Sequence, residues 1–285
     1  MQEVVGVMGG SGLYEMPGLS DVTRVELKTP FGAPSDALVT GTLHGVKMVF
    51  LPRHGVGHRH LPSDIPYLAN IHALKQLGVT RVLSVSAVGS LREDVHPGHI
   101  VAVDQFIDRT RLRRSSFFGE GVVGHVTFSD PVCGPLHAAL VKSAQKAGAH
   151  VHPRGTYVCM EGPQFSTRAE SLLHRRDGGD VIGMTNMPEA KLAREAELCY
   201  ATIALATDYD CWHVSEASVT VEAVLAVIRQ NVAMAQRIIA ETVQALPRDR
   251  TCACESAGRF ALLTDPKRIP PASKDALSLF YGRYW

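Results

Sequence analysis

Several short segments of this sequence place hydrogen-bond donors, carboxylates or close-approach glycines directly after apolar runs. The first is Gly9-Gly10-Ser11-Gly12. Glycines let backbone N–H groups approach an anion, and the Ser11 hydroxyl adds a donor, although a plain tight turn has the same composition. The spacing is neither GxGxxG nor GxxxxGK[ST], so the dinucleotide and Walker-type phosphate patterns are not met. The second, Pro52-Arg53-His54-Gly55, offers a planar guanidinium for bidentate anion recognition with an imidazole beside it. His54, His58 and His60 fall within seven residues, but glycines interrupt them and neither HExxH nor a carboxylate pair accompanies them. No metal is expected there, and His58 and His60 read as solvated loop residues.

The third segment runs from Ser84 to Leu91, where Ser86 and Ala87 stand among small residues at the end of an apolar strand. It forms either another wall of the same crevice or a place of close helix packing. Fourth, Glu161–Thr167 and Gly183–Glu189 each close a strand with a polar, proline-containing turn. Thr185 can donate to an anion, and Met184 can lie flat on a sugar face or simply fill a core. Fifth, Asp208 and Asp210 end an apolar strand with one residue between them. Such a pair could hold a metal or accept from and donate to a heterocyclic base. With no third ligand in sequence reach the base is preferred, and a helix cap or loop charge is the plain alternative for Asp208.

Positioning these segments requires an alternation of strands and helices, and the chain shows one. Val4–Met8 reads as a strand, and Ala37–Thr42 with Val46–Leu51 as a hairpin around Leu43-His44-Gly45. Tyr67–Leu77 reads as a helix stopped by Gly78, Arg81–Ser86 as a strand, and Leu136–Ala147 and Thr167–Arg175 as further helices. Strands are expected around Gly155–Met160 and Ala201–Thr207. Val219–Leu246 is the longest helical periodicity, with Val221 and Val224 one turn apart on one face near its start. After Pro247 the periodicity is lost and prolines accumulate, so residues 247–285 read as an irregular tail packing on the domain formed by 1–246.

Composition limits the function classes. The charge balance of 29 basic against 28 acidic residues lacks the basic excess of a nucleic-acid binder. No uninterrupted apolar stretch reaches membrane-spanning length, and the first residues lack the pattern of a signal peptide. Six cysteines are too few for a disulfide framework in 285 residues, and no CxxC pair appears, so free thiols, including Cys252 and Cys254, and a cytoplasmic setting are expected. Arg109, Arg111, Arg113 and Arg114 read as solvated surface or interface.

The ordered motifs GGSG, FGxPSD (31–36), PRHG, SAVGSL, DQFIDRT (104–110), EGPQFSTRAE, GMTNMPE and ATDYDCW resemble the trimeric purine nucleoside phosphorylases, nearest to the branch that acts on 5'-methylthioadenosine. The resemblance spans roughly residues 4 to 245. It implies a single α/β domain, a central mixed β-sheet flanked by helices, in which inorganic phosphate displaces a purine from C1' of a nucleoside. Phosphate is a co-substrate and no cofactor is implied. Carried over residue by residue, it implies phosphate held by Ser11, Arg53, His54, Ser86, Ala87 and Thr185, with Met184 against the ribose. Asp208 and Asp210 meet the purine, Asp208 as proton relay. Val221 and Val224 form an apolar wall for the 5'-methylthio group, and both are plain core residues otherwise. His125 closes the site of a neighbouring subunit, so a homotrimer is implied. Phosphorolysis of methylthioinosine or of ordinary purine nucleosides stays open, as does a nucleoside-binding protein without turnover, against which Arg53, His54, Asp208 and Asp210 count.

Overall fold

Alternation in the opening apolar run sets the architecture. In β1 (Val4–Gly9), Val4 and Met8 pack into one hydrophobic core and Val5 and Val7 into a second, so the strand is covered on both faces. The computed structural model describes residues 3–10, 12–213, 221–247 and 249–285, with backbone alone for 221–230. β2 (Ser20–Val25), β3 (Leu38–Leu43) and β4 (Val46–Pro52) form an antiparallel meander joined to β1 by the parallel β1–β4 pair. The β3–β4 hairpin turns as expected at His44 and Gly45, whose φ values of 50° and 76° are the left-handed pair a two-residue turn requires. α1 (Tyr67–Gln76) leads through Gly78 into the long strand β5 (Arg81–Ser90). There follow β6 (Ile100–Val103), β7 (Gln105–Asp108), α2 (Gly134–Lys146), β8 (Val151–His152), β9 (Thr156–Cys159), α3 (Arg168–Arg176), β10 (Val181–Gly183), α4 (Asn186–Glu195) and β11 (Cys199–Asp208). The chain closes with α5 (Val221–Ala245) and α6 (Pro271–Tyr281).

Among the described residues these strands make one mixed sheet that forks at β5. β11 runs parallel along one edge of β5 from Arg81 to Gly89, and β6 and β8 continue outward from it. The opposite edge is shared: Arg81–Ser84 pair with β1, and Gly89 and Ser90 pair with β10, beyond which lie β9 and β7. Val85, Ser86, Ala87 and Val88 belong to neither ladder on that edge. A gap therefore opens beside the middle of the sheet, at the carboxyl end of β1, and Ala87 is exposed within an otherwise buried strand. Such a switch point is where open α/β sheets take ligands.

α1, α4 and α6 contribute Ile71, Leu74, Leu192, Leu277 and Phe280 to the core on one face. α2 and α5 cover the other with Leu136, Leu140, Ile238, Ile239 and Val243. Two expectations need correction here. The tail is not irregular throughout: Pro271 stands in the first turn of α6, where a missing N–H costs nothing, and Leu277, Phe280 and Tyr281 at helical spacing are buried. Residues 183–189 are also more than a turn, because α4 begins within them, with Met187 extended ahead of Pro188 and the helix regular afterwards. No described helix is long and apolar enough to cross a membrane.

Candidate active site

Arg53 directly follows β4 beneath the gap and is 2% exposed. Its Nε donates to Glu189 Oε2 at 2.7 Å and its Nη2 to Glu189 Oε1 at 3.1 Å. Nη2 also donates to Ser84 Oγ and the Met8 carbonyl, and Nη1 to the Val85 carbonyl at 2.9 Å. Burial works against the charged form, but the Glu189 carboxylate outweighs it and raises the Arg53 pKa, so the guanidinium stays protonated. The open fork expected from the sequence is thus a buried ion pair. It ties the ends of β1 and β4 and the middle of β5 to α4, with Nη1 directed to the carbonyl of the first residue of the gap. Glu189 is held in turn by Ser84 Oγ and Tyr200 Oη at 2.6 and 2.8 Å.

Beside it, His54 Nδ1 lies 2.9 Å from the His60 carbonyl, which fixes the ring with Nε2 as the acceptor of the neutral tautomer. Burial, with the Arg53 charge adding to it, pulls the His54 pKa down to about 4. The His58 ring stacks on His54 at 4.1 Å. His58 is exposed as expected, whereas His60 is half-buried with Nε2 3.2 Å from the Ser35 carbonyl, so its carbonyl is a fixed support for His54.

Within the gap, Ser86 Oγ lies 3.1 Å from Tyr157 Oη and 3.4 Å from Thr185 Oγ1. Thr185 N–H faces the same phenol oxygen at 3.4 Å. Tyr157 is wholly buried and burial pushes its pKa up to about 12, so it remains a neutral donor. Gly183 makes room for it: a Cβ there would meet the phenol oxygen at 2.0 Å. Sequence reasoning missed Tyr157, since one tyrosine in an apolar strand carries no sign of facing a functional gap. Met184 is half-buried against the 161–163 turn, where a Cβ on Gly162 would lie 2.6 Å from its sulfur.

The carboxylates come from the end of β11. The register of β11 on β5 shifts between Ala206 and Asp208, a bulge that sets Asp208 opposite Gly89, and Thr207 Oγ1 donates to Asp208 Oδ2 at 2.6 Å. A Cβ on Gly89 would lie 3.1 Å from Asp208 Oδ1 and 3.2 Å from Asp210 Cβ, so both acids sit over the end of β5. Asp210 is buried and accepts from Ser171 Oγ at 2.5 Å. Ser171, a second residue missed from sequence, comes from α3. Trp212 anchors the segment through its Nε1 to the Ser90 carbonyl at 2.8 Å.

The chain matches the phosphorylase superfamily over residues 4–244. The chain belongs to that superfamily. It is similar to the S-methyl-5'-thioadenosine phosphorylase of Geobacter sulfurreducens, 62% identical over 285 residues with all of both chains covered. It is also similar to that of Koribacter versatilis, 56% identical over 100% of this chain and 98% of the other. Among solved structures, a methylthioadenosine phosphorylase from an Antarctic soil metagenomic library gives a TM-score of 0.93 at 45% identity, covering 98% and 99% of the two chains. The methylthioadenosine phosphorylase of Schistosoma mansoni in complex with adenine gives 0.84 at 39% identity, covering 89% and 96%.

The remaining residues singled out from sequence are placed less centrally in this superfamily chain. Ser11 lies outside the described residues, and Val221 and Val224 stand in the first turn of α5 with their side chains outside them. α5 nevertheless covers the glycine loop, since Gln236 Nε2 donates to the Gly12 carbonyl at 2.9 Å. His125 is exposed and its N–H donates to the Ala261 carbonyl at 2.9 Å, in a loop that meets the tail and not the Ser86–Thr185 gap. Arg113 corrects another expectation. Far from solvated, its side chain is 1% exposed and donates to Glu161 Oε1 and to the Met184 and Met187 carbonyls, clamping the 161–163 turn to the start of α4. Burial would raise the Glu161 pKa, but Ser63, the Arg111 and Leu112 N–H groups and Arg113 outweigh it and hold it at about 2.

Proposed function

We propose that this protein is an S-methyl-5'-thioadenosine phosphorylase, converting 5'-methylthioadenosine and phosphate into adenine and 5-methylthioribose 1-phosphate. The observation that carries this reading is the stretch of β5 left without a partner strand on one edge. Hydroxyls of Ser86 and Thr185 converge there, and Asp208 stands opposite Gly89 on the same strand. From Ala87 to Gly89 is about 7 Å along a strand, a separation that suits phosphate at one end, the purine at the other and a ribose between.

In this reading phosphate accepts from Ser86, Thr185, the Ala87 backbone and Ser11, with the Arg53 charge beneath it, and neutral His54, its N–H spent on the His60 carbonyl, lines the site without donating to the anion as the resemblance implied. The glycosidic bond breaks as the purine takes on negative charge and the ribosyl ring becomes cationic. Asp208 gives a proton at N7, and phosphate stabilises the cation before bonding to C1'. Asp210, its orientation fixed by Ser171, accepts from the N6 amino group and disfavours a 6-oxygen at that place. Met184 supports the ribose. Val221 and Val224 line the 5' side, and His125 of a neighbouring copy completes it. A homotrimer in the cytoplasm, using phosphate as co-substrate and no catalytic cofactor, belongs to the same reading. In α3, Leu172 and Leu173 point outward at 52% and 37% exposure while Ser171 and His174 turn inward, an inversion that fits an interface between copies.

The reading is tested by comparing kcat/KM for methylthioadenosine, adenosine and methylthioinosine. Methylthioadenosine is expected to lead. Equal efficiency on adenosine would remove the apolar 5' pocket, and a lead for methylthioinosine would remove Asp210 as reader of N6.

A further inference from the structure

Four of the six cysteines come from three distant parts of the chain and meet where Cys199 pairs with Arg81, at the start of β11 and β5 and away from the Gly89 end: Cys133, Cys199, Cys252 and Cys254. Their sulfurs all lie within 4.8 Å of one another, three of the residues are buried, and Cys199 Sγ is 3.3 Å from Cys252 Sγ. We propose that these four cysteines are a tetrathiolate zinc site that fastens the tail to the sheet. Four sulfurs around a tetrahedral zinc at about 2.3 Å stand about 3.8 Å apart, so the observed cluster needs movements below about 1 Å to close on an ion.

Backbone donors face two of the sulfurs. Cys133 is the N-cap of α2, where the helix dipole favours an anion, and the Leu136 N–H faces its sulfur. The Cys254 N–H faces the Cys252 sulfur. Such N–H···S contacts orient the ligands of a metal centre. Four thiolates and one dication leave two negative charges, and Arg81, its side chain 4% exposed and ion-paired with Glu3, stands within Coulombic reach of Cys133, Cys199 and Cys252.

The backbone is assembled independently of the sulfurs. Cys133 N–H donates to the Tyr200 carbonyl at 2.9 Å, Arg81 Nη2 holds the Pro247 and Asp249 carbonyls, and Arg250 Nη1 reaches the Glu197 carbonyl. Cys252 and Cys254 flank Ala253 at the start of a short 3-10 turn, Ala253–Ser256, that sends both sulfurs toward the sheet. Each coordinating thiol releases its proton to solvent on binding, so affinity rises with pH. No metal pattern shows along the sequence because the ligands have none of the familiar short spacings; only the fold collects them.

The test uses the full chain purified without chelator. Elemental analysis is expected to return stoichiometric zinc, and exchange of Co2+ for zinc is expected to give the intense visible bands and thiolate-to-cobalt charge transfer of a tetrahedral tetrathiolate. Chelation under denaturing conditions should release four alkylatable thiols that are protected beforehand, and Cys252→Ser should lose the stoichiometric metal. Cysteine pairs joined as disulfides in mass spectra would overturn the proposal, as would iron in place of zinc or thiols that take up neither Zn2+ nor Co2+. The wild-type cobalt spectrum decides even where the serine variant fails to fold.

Discussion

Arg53 has two separable jobs, and substitution distinguishes them. Arg53→Ala leaves the buried Glu189 unpaired and is expected to cost about 3–5 kcal/mol of stability, read by denaturant unfolding, as well as raising the phosphate KM. Pairing it with Glu189→Gln should recover much of the stability and none of the phosphate KM. Recovery of both would leave Arg53 a purely structural role. Asp208→Asn removes the proton relay and should lower kcat on methylthioadenosine by about 100-fold or more, with a relative gain on 6-oxopurines because an amide can donate to O6. Unchanged turnover would place the relay elsewhere.

His54 ties the site to acid stability. Its pKa is about 4 in the folded protein against 6.5 as a free side chain, so the unfolded state binds the extra proton first. The contribution is fully present above about pH 6.5 and is lost as pH falls toward 4, a difference on the order of 3 kcal/mol. A pH series of unfolding midpoints should fall through that window, and His54→Gln should flatten it. Parallel curves for the two proteins would contradict the assignment. At this scale the sequence drew notice to residues whose type declares a chemistry, such as Asp208 and Thr185. It was silent about Tyr157 and Ser171, whose roles come from what lies across the sheet from them.

Among the elements, those set by local chemistry were readable. The β3–β4 hairpin follows from His44-Gly45, and α3 begins where Thr167 and Glu170 form a reciprocal cap. The fork of β5 was not readable, because which strands share its edge depends on β1, whose Val5 pairs with Arg81, and β10, whose Val181 pairs with Ser90, both far from β5 in sequence. α6 was hidden by the prolines that open it. Its packing is testable: Phe280 stands 4.7 Å from Phe117 and 5.3 Å from His72, ring to ring, and Tyr281 Oη donates to the Glu195 carbonyl at 2.6 Å. Phe280→Ala should therefore destabilise the protein by about 3–5 kcal/mol in calorimetry or denaturant titration. A loss below about 1 kcal/mol would make the tail an ornament on 1–246.

For the whole molecule, the proposed site is complete only when a second copy supplies His125, so assembly and 5' selectivity should change together. Sedimentation is expected to report a trimer, and His125→Ala is expected to narrow the preference for methylthioadenosine over adenosine without lowering the unfolding midpoint. A fully active monomer would break that link. The claim on which the rest depends is that phosphate is the nucleophile held beside Ser86 and Thr185. Adenine release from methylthioadenosine, followed in phosphate-buffered and phosphate-free solution with the sugar product identified, tests it directly. Release that requires phosphate and yields equimolar 5-methylthioribose 1-phosphate is the predicted result; adenine and free methylthioribose formed at the same rate without phosphate would contradict it.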